Sequence, residues 1–97
     1  MKTKVRVESN LRITNVFEPP FEIEFQEEEN TLQDVLQRLS AMFPYLKFME
    51  KGGMGDDLRN LFLNGKSHFS FNEGLRKKIN EGDTILVEAY MDPLAGG

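Results

Sequence analysis

The chain has no cysteine among its 97 residues. Without a thiol there is no disulfide framework, no thiolate nucleophile and no Cys-based metal site. A single histidine, His68, removes every two-His metal motif. Basic excess is missing too: twelve Lys and Arg face sixteen Asp and Glu, for a formal charge of -4 and a pI near 5.0. Nucleic-acid binding rests on clustered Lys and Arg that neutralise phosphates, so nucleic acid is not an expected partner. No apolar run approaches the ~20 residues of a membrane span. The N-terminal Met1-Lys2-Thr3-Lys4 leads into no apolar signal core. These absences predict a soluble cytoplasmic protein and leave most enzyme classes without their usual residues.

Apolar residues make up 39% of the chain and aromatics 10%, with eight Phe spread from Phe17 to Phe71. That is more oily surface than a disordered chain carries. At 97 residues it is one small domain, since domains run to about 100–150 residues. A chain of this size buries roughly 65% of its unfolded surface, enough for one modest core.

Between Lys4 and Ile13 apolar and polar residues nearly alternate. Val5, Val7, Leu11 and Ile13 share one face, and a break is expected at Ser9-Asn10. Pro19-Pro20 cannot occupy a central strand and marks a turn. Phe21, Ile23 and Phe25 then alternate with Glu22, Glu24 and Gln26, so the opening reads as a hairpin with a long connection. Thr31 is a good helix N-cap, with Asp34 three residues on as an imperfect capping box, and Glu27-Glu28-Glu29 suits the positive end of a helix dipole. Leu32, Val35, Leu36, Leu39, Met42 and Phe43 follow at helical spacing until Pro44 stops the helix.

Gly52-Gly53-Met54-Gly55 and Asp56-Asp57 read as a mobile loop. Leu61-Phe62-Leu63 is a short buried strand that ends at Asn64-Gly65, a strong turn dipeptide. The stretch from Ser67 to Phe71 is the expected return strand, and Glu73 to Asn80 a short helical turn. Thr84 to Tyr90, rich in β-branched and aromatic residues, is the last strand. Residues 91–97 form a tail without periodicity. Strand, strand, helix, then short strands predict a mixed sheet with the helix on one face.

Few motifs carry chemistry. Gly65-Lys66-Ser67 matches the end of the phosphate loop G-x-x-x-x-G-K-S/T, but the first Gly of that pattern falls on Asn60 and no helix follows; a hairpin turn is the better reading. Gly52 to Gly55 lacks the spacing of a dinucleotide fingerprint. His68, between Ser67 and Phe69, reads as a partly buried ring rather than a general base. The acidic triplet and Asp56-Asp57 lack Ca-loop spacing, and Lys77-Lys78 are too few for a nucleic-acid stripe. No metal site is expected.

The terminal Gly96-Gly97 can be a frayed end. It also has a chemical reading. Gly has no Cβ, so the pair can thread a narrow channel and present its carboxylate where a side chain would clash.

In this setting the sequence resembles the β-grasp sulfur carriers, the MoaD/ThiS-like family of the molybdopterin synthase small subunit and the thiamine sulfur carrier, related to ubiquitin. Leu61-Phe62-Leu63-Asn64-Gly65, then Leu75 to Ile79 with Glu81-Gly82-Asp83-Thr84-Ile85, and the tail Met91-Asp92-Pro93-Leu94-Ala95-Gly96-Gly97 carry the resemblance. The helix end Met42-Phe43-Pro44-Tyr45-Leu46 is similar to that of the longer members. Asp92 departs from the pattern, standing where such tails often have Pro or an apolar residue.

The resemblance implies an α+β, ubiquitin-like β-grasp fold: a mixed sheet of four to five strands packed against one main helix, as a single domain over residues 1–97 with a flexible tail at 91–97. It implies a carrier rather than an enzyme. A MoeB/ThiF-like adenylating enzyme, using ATP and Mg, would adenylate the Gly97 carboxylate, and sulfur would replace AMP to give a thiocarboxylate. Gly96, Ala95, Leu94 and Pro93 would insert into the partner's pocket. The carrier itself binds no cofactor. The sulfur acceptor would be the molybdopterin synthase large subunit or another sulfur-accepting enzyme; the chain's length favours the molybdopterin-type group over the shorter thiamine carrier. Alternatives are a carrier for cysteine or thiamine-type biosynthesis, a ubiquitin-like modifier joined to proteins through Gly97, and a non-covalent interaction domain. Phe62, Phe69, Tyr90 and Met91 are expected on a sheet face left open by the helix, as a partner-docking patch; the competing reading is that they complete the core.

Overall fold

The computed structural model describes residues 3–50, 53–55 and 57–89. Period-two patterning sets up the first hairpin. Thr3–Ser9 (β1) and Phe21–Phe25 (β2) pair antiparallel, with Val5 opposite Ile23 and Val7 opposite Phe21. The connection between them folds on itself through Phe17 N to Ile13 O at 2.8 Å. That turn delivers Phe17, fully buried, edge-on to the rings of Phe21 and Phe43. Aromatic pairs of this geometry add about 0.5–1.5 kcal/mol beyond the area they bury.

The helix (α1) spans Leu32–Met42. Its capping box closes both ways: Thr31 Oγ1 accepts from Asp34 N, and Asp34 Oδ2 accepts from Thr31 N at 3.0 Å. Leu32, Val35, Leu36 and Leu39 form the buried stripe. The helix ends with Phe43 as C-cap, because the residue before Pro44 is pushed out of the α region.

The Gly-rich stretch departs from expectation. Met49–Glu50 (β3) and Gly53–Met54 (β4) pair antiparallel rather than running as an irregular loop, and Gly55 beyond them is buried; Gly52 and Asp56 of the expected loop lie outside the described residues. Leu58–Leu63 (β5) and Lys66–Ser67 (β6) follow, joined by Asn64 and Gly65 at φ 51° and 86°. Two successive positive φ angles define the type I′ turn, where Asn-Gly is favoured.

The return strand expected over residues 67–71 stops at Ser67. Ser67 Oγ accepts from Phe69 N at 3.2 Å and Ser70 Oγ donates to Ser67 O at 2.6 Å, which turns His68–Ser70 into a 3-10 turn. Local side-chain bonds have displaced the ladder. A second 3-10 turn covers Gly74–Arg76, inside the stretch read as a short helical turn. Thr84–Ala89 (β7) is the last described strand; Tyr90 lies outside the described residues.

The sheet runs β2-β1-β7-β5-β6. β7 lies parallel to β1 and antiparallel to β5, so the sheet is mixed and its last strand is central. Ile85, Val87 and Ala89 face inward with Val5, Val7, Leu61 and Leu63, and α1 covers that face. Full burial of each Val, Leu or Ile among them is worth roughly 1.5–3 kcal/mol before chain entropy is subtracted. Arg6, Leu86 and Phe62 occupy the alternate positions on the other face.

Candidate functional site

The last strand lies in the middle of the sheet and is followed in sequence by the C-terminal segment that the family resemblance singles out. Ala89, 2% exposed, is the last described residue. Its backbone is held on two sides. It pairs with Leu58 of β5, while the side chain of Asn10 accepts from Ala89 N at 2.8 Å and donates to Ala89 O at 3.0 Å. Ser9 Oγ adds a 2.6 Å bond to Val87 O and accepts from Leu11 N at 3.0 Å. β1 stops at Ser9, and the Asn10 amide then imitates one further residue of strand. Sequence reading marks Ser9-Asn10 only as a break; the one available signal was a polar pair ending a strand that must lie beside another.

Of the four residues expected on the open face, the described structure places Phe62 there. Phe62 is half-buried and pairs directly across the ladder with Leu86, and Glu8 lies opposite Leu86 on the other side. Arg6 contacts Glu8 at 2.9 Å, and Arg59 approaches Glu88 at 3.8 Å. An apolar centre with a charged rim is the usual anatomy of a protein interface. Leu86 was not foreseen, although its alternation with Ile85 and Val87 places it outward. Phe69 stands apart from the ladder: it is 71% exposed on the 3-10 turn after β6, with its ring 4.0 Å from that of His68. Neither Phe62 nor Phe69 belongs to the buried core. Tyr90, Met91, Pro93, Leu94, Ala95, Gly96 and Gly97 lie outside the described residues, so the expectations placed on them are not met or refused here.

His68 is 5% exposed and its Nδ1 has no hydrogen-bond partner. Burial lowers its pKa from 6.5, opposed by a hydrogen bond with the Leu61 backbone. A general base must offer an accessible lone pair to a reactant. His68 instead packs under Phe69 at the sheet edge. Ser67, expected to begin a strand, caps the 3-10 turn and donates to Asn60 Oδ1 at 2.9 Å. Lys66 follows a hairpin turn and precedes no α-helix, so the phosphate-loop geometry is absent. Among the described residues no group of three or more His, Asp or Glu is placed to hold a metal ion, and no helix is long and apolar enough to cross a membrane.

A mixed sheet clasping one helix, with the last strand central and parallel to the first, defines the ubiquitin-like β-grasp fold, and this chain has it. Solved structures agree. The small archaeal modifier protein 1 of Methanosarcina acetivorans superposes with a TM-score of 0.70 at 22% identity, covering 100% of this chain and 99% of its own. The Haloferax volcanii protein HVO 2177 gives 0.74 at 17% identity, covering 95% and 87%. The small archaeal modifier protein 1 of Haloferax volcanii gives 0.59 at 19% identity, covering 97% and 99%. No protein-family model and no curated protein matches the chain.

Proposed function

We propose that the chain is a sulfur carrier whose Gly97 carboxylate is activated and loaded by partner enzymes, in the manner of the molybdopterin synthase small subunit. The observation that supports the reading is the central last strand: it ends at Ala89, and the sequence after it runs to Leu94-Ala95-Gly96-Gly97. A MoeB/ThiF-like adenylating enzyme would supply ATP and Mg. A Gly97 carboxylate oxygen attacks the α-phosphorus of ATP and pyrophosphate leaves; a sulfur nucleophile then displaces AMP, leaving a thiocarboxylate. The tail through Pro93 enters the enzyme's pocket, while Phe62 and Leu86 dock the body, with Phe69, Tyr90 and Met91 as further docking residues. The sulfur acceptor is the molybdopterin synthase large subunit or another sulfur-accepting enzyme. The setting is cytoplasmic.

A second reading is conjugation through Gly97 to a lysine of another protein. It is favoured by the likeness to structures of small archaeal modifier proteins. Both readings share the adenylation step and diverge afterwards.

Intact-protein mass spectrometry separates them. The native chain should end on Gly97. After incubation with a cognate adenylating enzyme, ATP and a sulfur donor, it should gain the mass difference of one sulfur for one oxygen, and a chain lacking Gly97 should not. Isopeptide adducts on cellular proteins, with no thiocarboxylate, would select the modifier reading. No adenylate with an enzyme shown to be active on another carrier would remove both.

A further inference from the structure

The chain is acidic overall, yet its charge is unevenly distributed. Residues 61–80 hold Lys66, Arg76, Lys77 and Lys78 against Glu73 alone, a local +3 in a chain of -4. The fold gathers three of these lysines around one groove. It has a volume of about 310 Å³ and lies between the β5–β6 turn and the segment before β7. Leu63 and Phe71 supply its apolar surface, Lys66, Lys77 and Lys78 its cations, and Asp83 a single carboxylate.

Lys66 and Lys78 form no ion pair among the described residues. Lys77 lies 5.2 Å from the Phe71 ring centroid and only 3.9 Å from Glu73, a loose contact. The walls are rigid. Leu32 N donates to Lys77 O and Ile79 N to Asn30 O, tying the lysine segment to the start of α1. On the far wall Asp83 accepts from Asn64 Nδ2 at 3.0 Å and from Asn80 N at 2.7 Å. A cationic groove held in place before binding keeps its ordering cost low.

We propose that this groove docks an acidic segment of a partner protein, in which Asp or Glu residues alternate with apolar ones. The Asp83 charge decides against a compact phosphate, since a dianion seated in the groove would meet that carboxylate. An extended segment avoids it by placing carboxylates on the rim lysines and an apolar side chain over Phe71. The groove lies at the start of β7, and the tail leaves at its end. Six residues of strand separate them, about 17 Å at the rise of a β-strand. This docking therefore stands apart from whether Gly97 is ever activated.

The test is an NMR titration of the ¹⁵N-labelled full chain with a synthetic peptide of alternating Glu and Leu. Saturable shifts are expected at Leu63, Lys66, Phe71, Lys78 and Asp83. Affinity should fall roughly tenfold in Lys66→Glu/Lys78→Glu. It should also weaken with added salt and vanish for a peptide with Gln in place of Glu. The spectrum of the double variant reports its folding, and Lys66→Gln/Lys78→Gln repeats the test should the charge reversal unfold the chain. Shifts scattered over the surface, or an affinity unchanged in the lysine variants, would overturn the proposal. So would inorganic phosphate moving the same amides where the peptide does not, which would make the groove a small-anion site.

Discussion

Gly55 shows how one atom can decide a backbone path. A Cβ there would overlap Lys47 O and lie 2.9 Å from Met49 N, both main-chain atoms with no side chain to swing away. Gly55 N also donates to Phe48 O at 2.9 Å, holding the two segments together. Gly55→Ala should destabilise the fold by about 1–3 kcal/mol or more, read as a lower urea midpoint; an unchanged midpoint would mean that the segments are not in contact. His68 gives a pH signature. Its folded pKa lies below 6.5 because burial disfavours the charged ring. Above 6.5 both states are neutral and the group contributes nothing to pH dependence. As pH falls below 6.5 the unfolded chain binds the proton first, so stability is lost until the folded pKa is passed. Thermal melts should fall between pH 7.5 and 5.5, and His68→Gln should flatten that slope. The burial of His68 was legible from its aromatic neighbour Phe69. The contact at Gly55 was not, because a glycine in a Gly-rich run looks the same whether it moves freely or abuts a carbonyl.

Elements were more legible than residues, for reasons that the elements themselves show. The helix declares itself by Thr31, its apolar stripe and Pro44, all local signals, and the structure places it at Leu32–Met42. Alternation likewise marks β1 and β2, β-branched and aromatic content marks β7, and the Asn64-Gly65 turn is a two-residue chemistry. The failures came where side chains bond their own backbone. Ser67 takes the chain from ladder to 3-10 turn within one residue, a competition that hydropathy cannot register. Asn10 is the counterpart: a side chain completing a strand. Its two bonds to Ala89 secure the end of β7, and each is worth about 0.5–1.5 kcal/mol net. Asn10→Ala should therefore speed hydrogen exchange at Ala89 well ahead of Val87, with little change at Val5 or Ile23. Uniform acceleration across the sheet would mean that Asn10 supports the fold as a whole rather than the root of the tail.

At the scale of the molecule, the β-grasp body sets three regions apart: the end of β7, the Phe62–Leu86 face and the lysine groove at the start of β7. The site proposed for chemistry was legible only as a terminal Gly-Gly in a family-like frame, because a carrier has no acid, base or metal ligands to betray it. The three regions make separable kinetic predictions with a cognate adenylating enzyme assayed by ATP–pyrophosphate exchange. If Phe62 and Leu86 dock the partner as proposed, they do so before and during reaction alike, so Phe62→Asp should raise KM for the carrier roughly tenfold or more while leaving kcat near its original value. On the proposed tail insertion Gly96 must be slim to reach ATP, so Gly96→Arg should collapse kcat while the variant still competes for binding. Both variants should melt with the parent, since Phe62 lies outside the buried core and Gly96 lies beyond β7. A Phe62→Asp protein with unchanged KM would move docking off the open face. The lysine groove would then be the first alternative, and Lys66→Glu/Lys78→Glu should show the KM effect in its place.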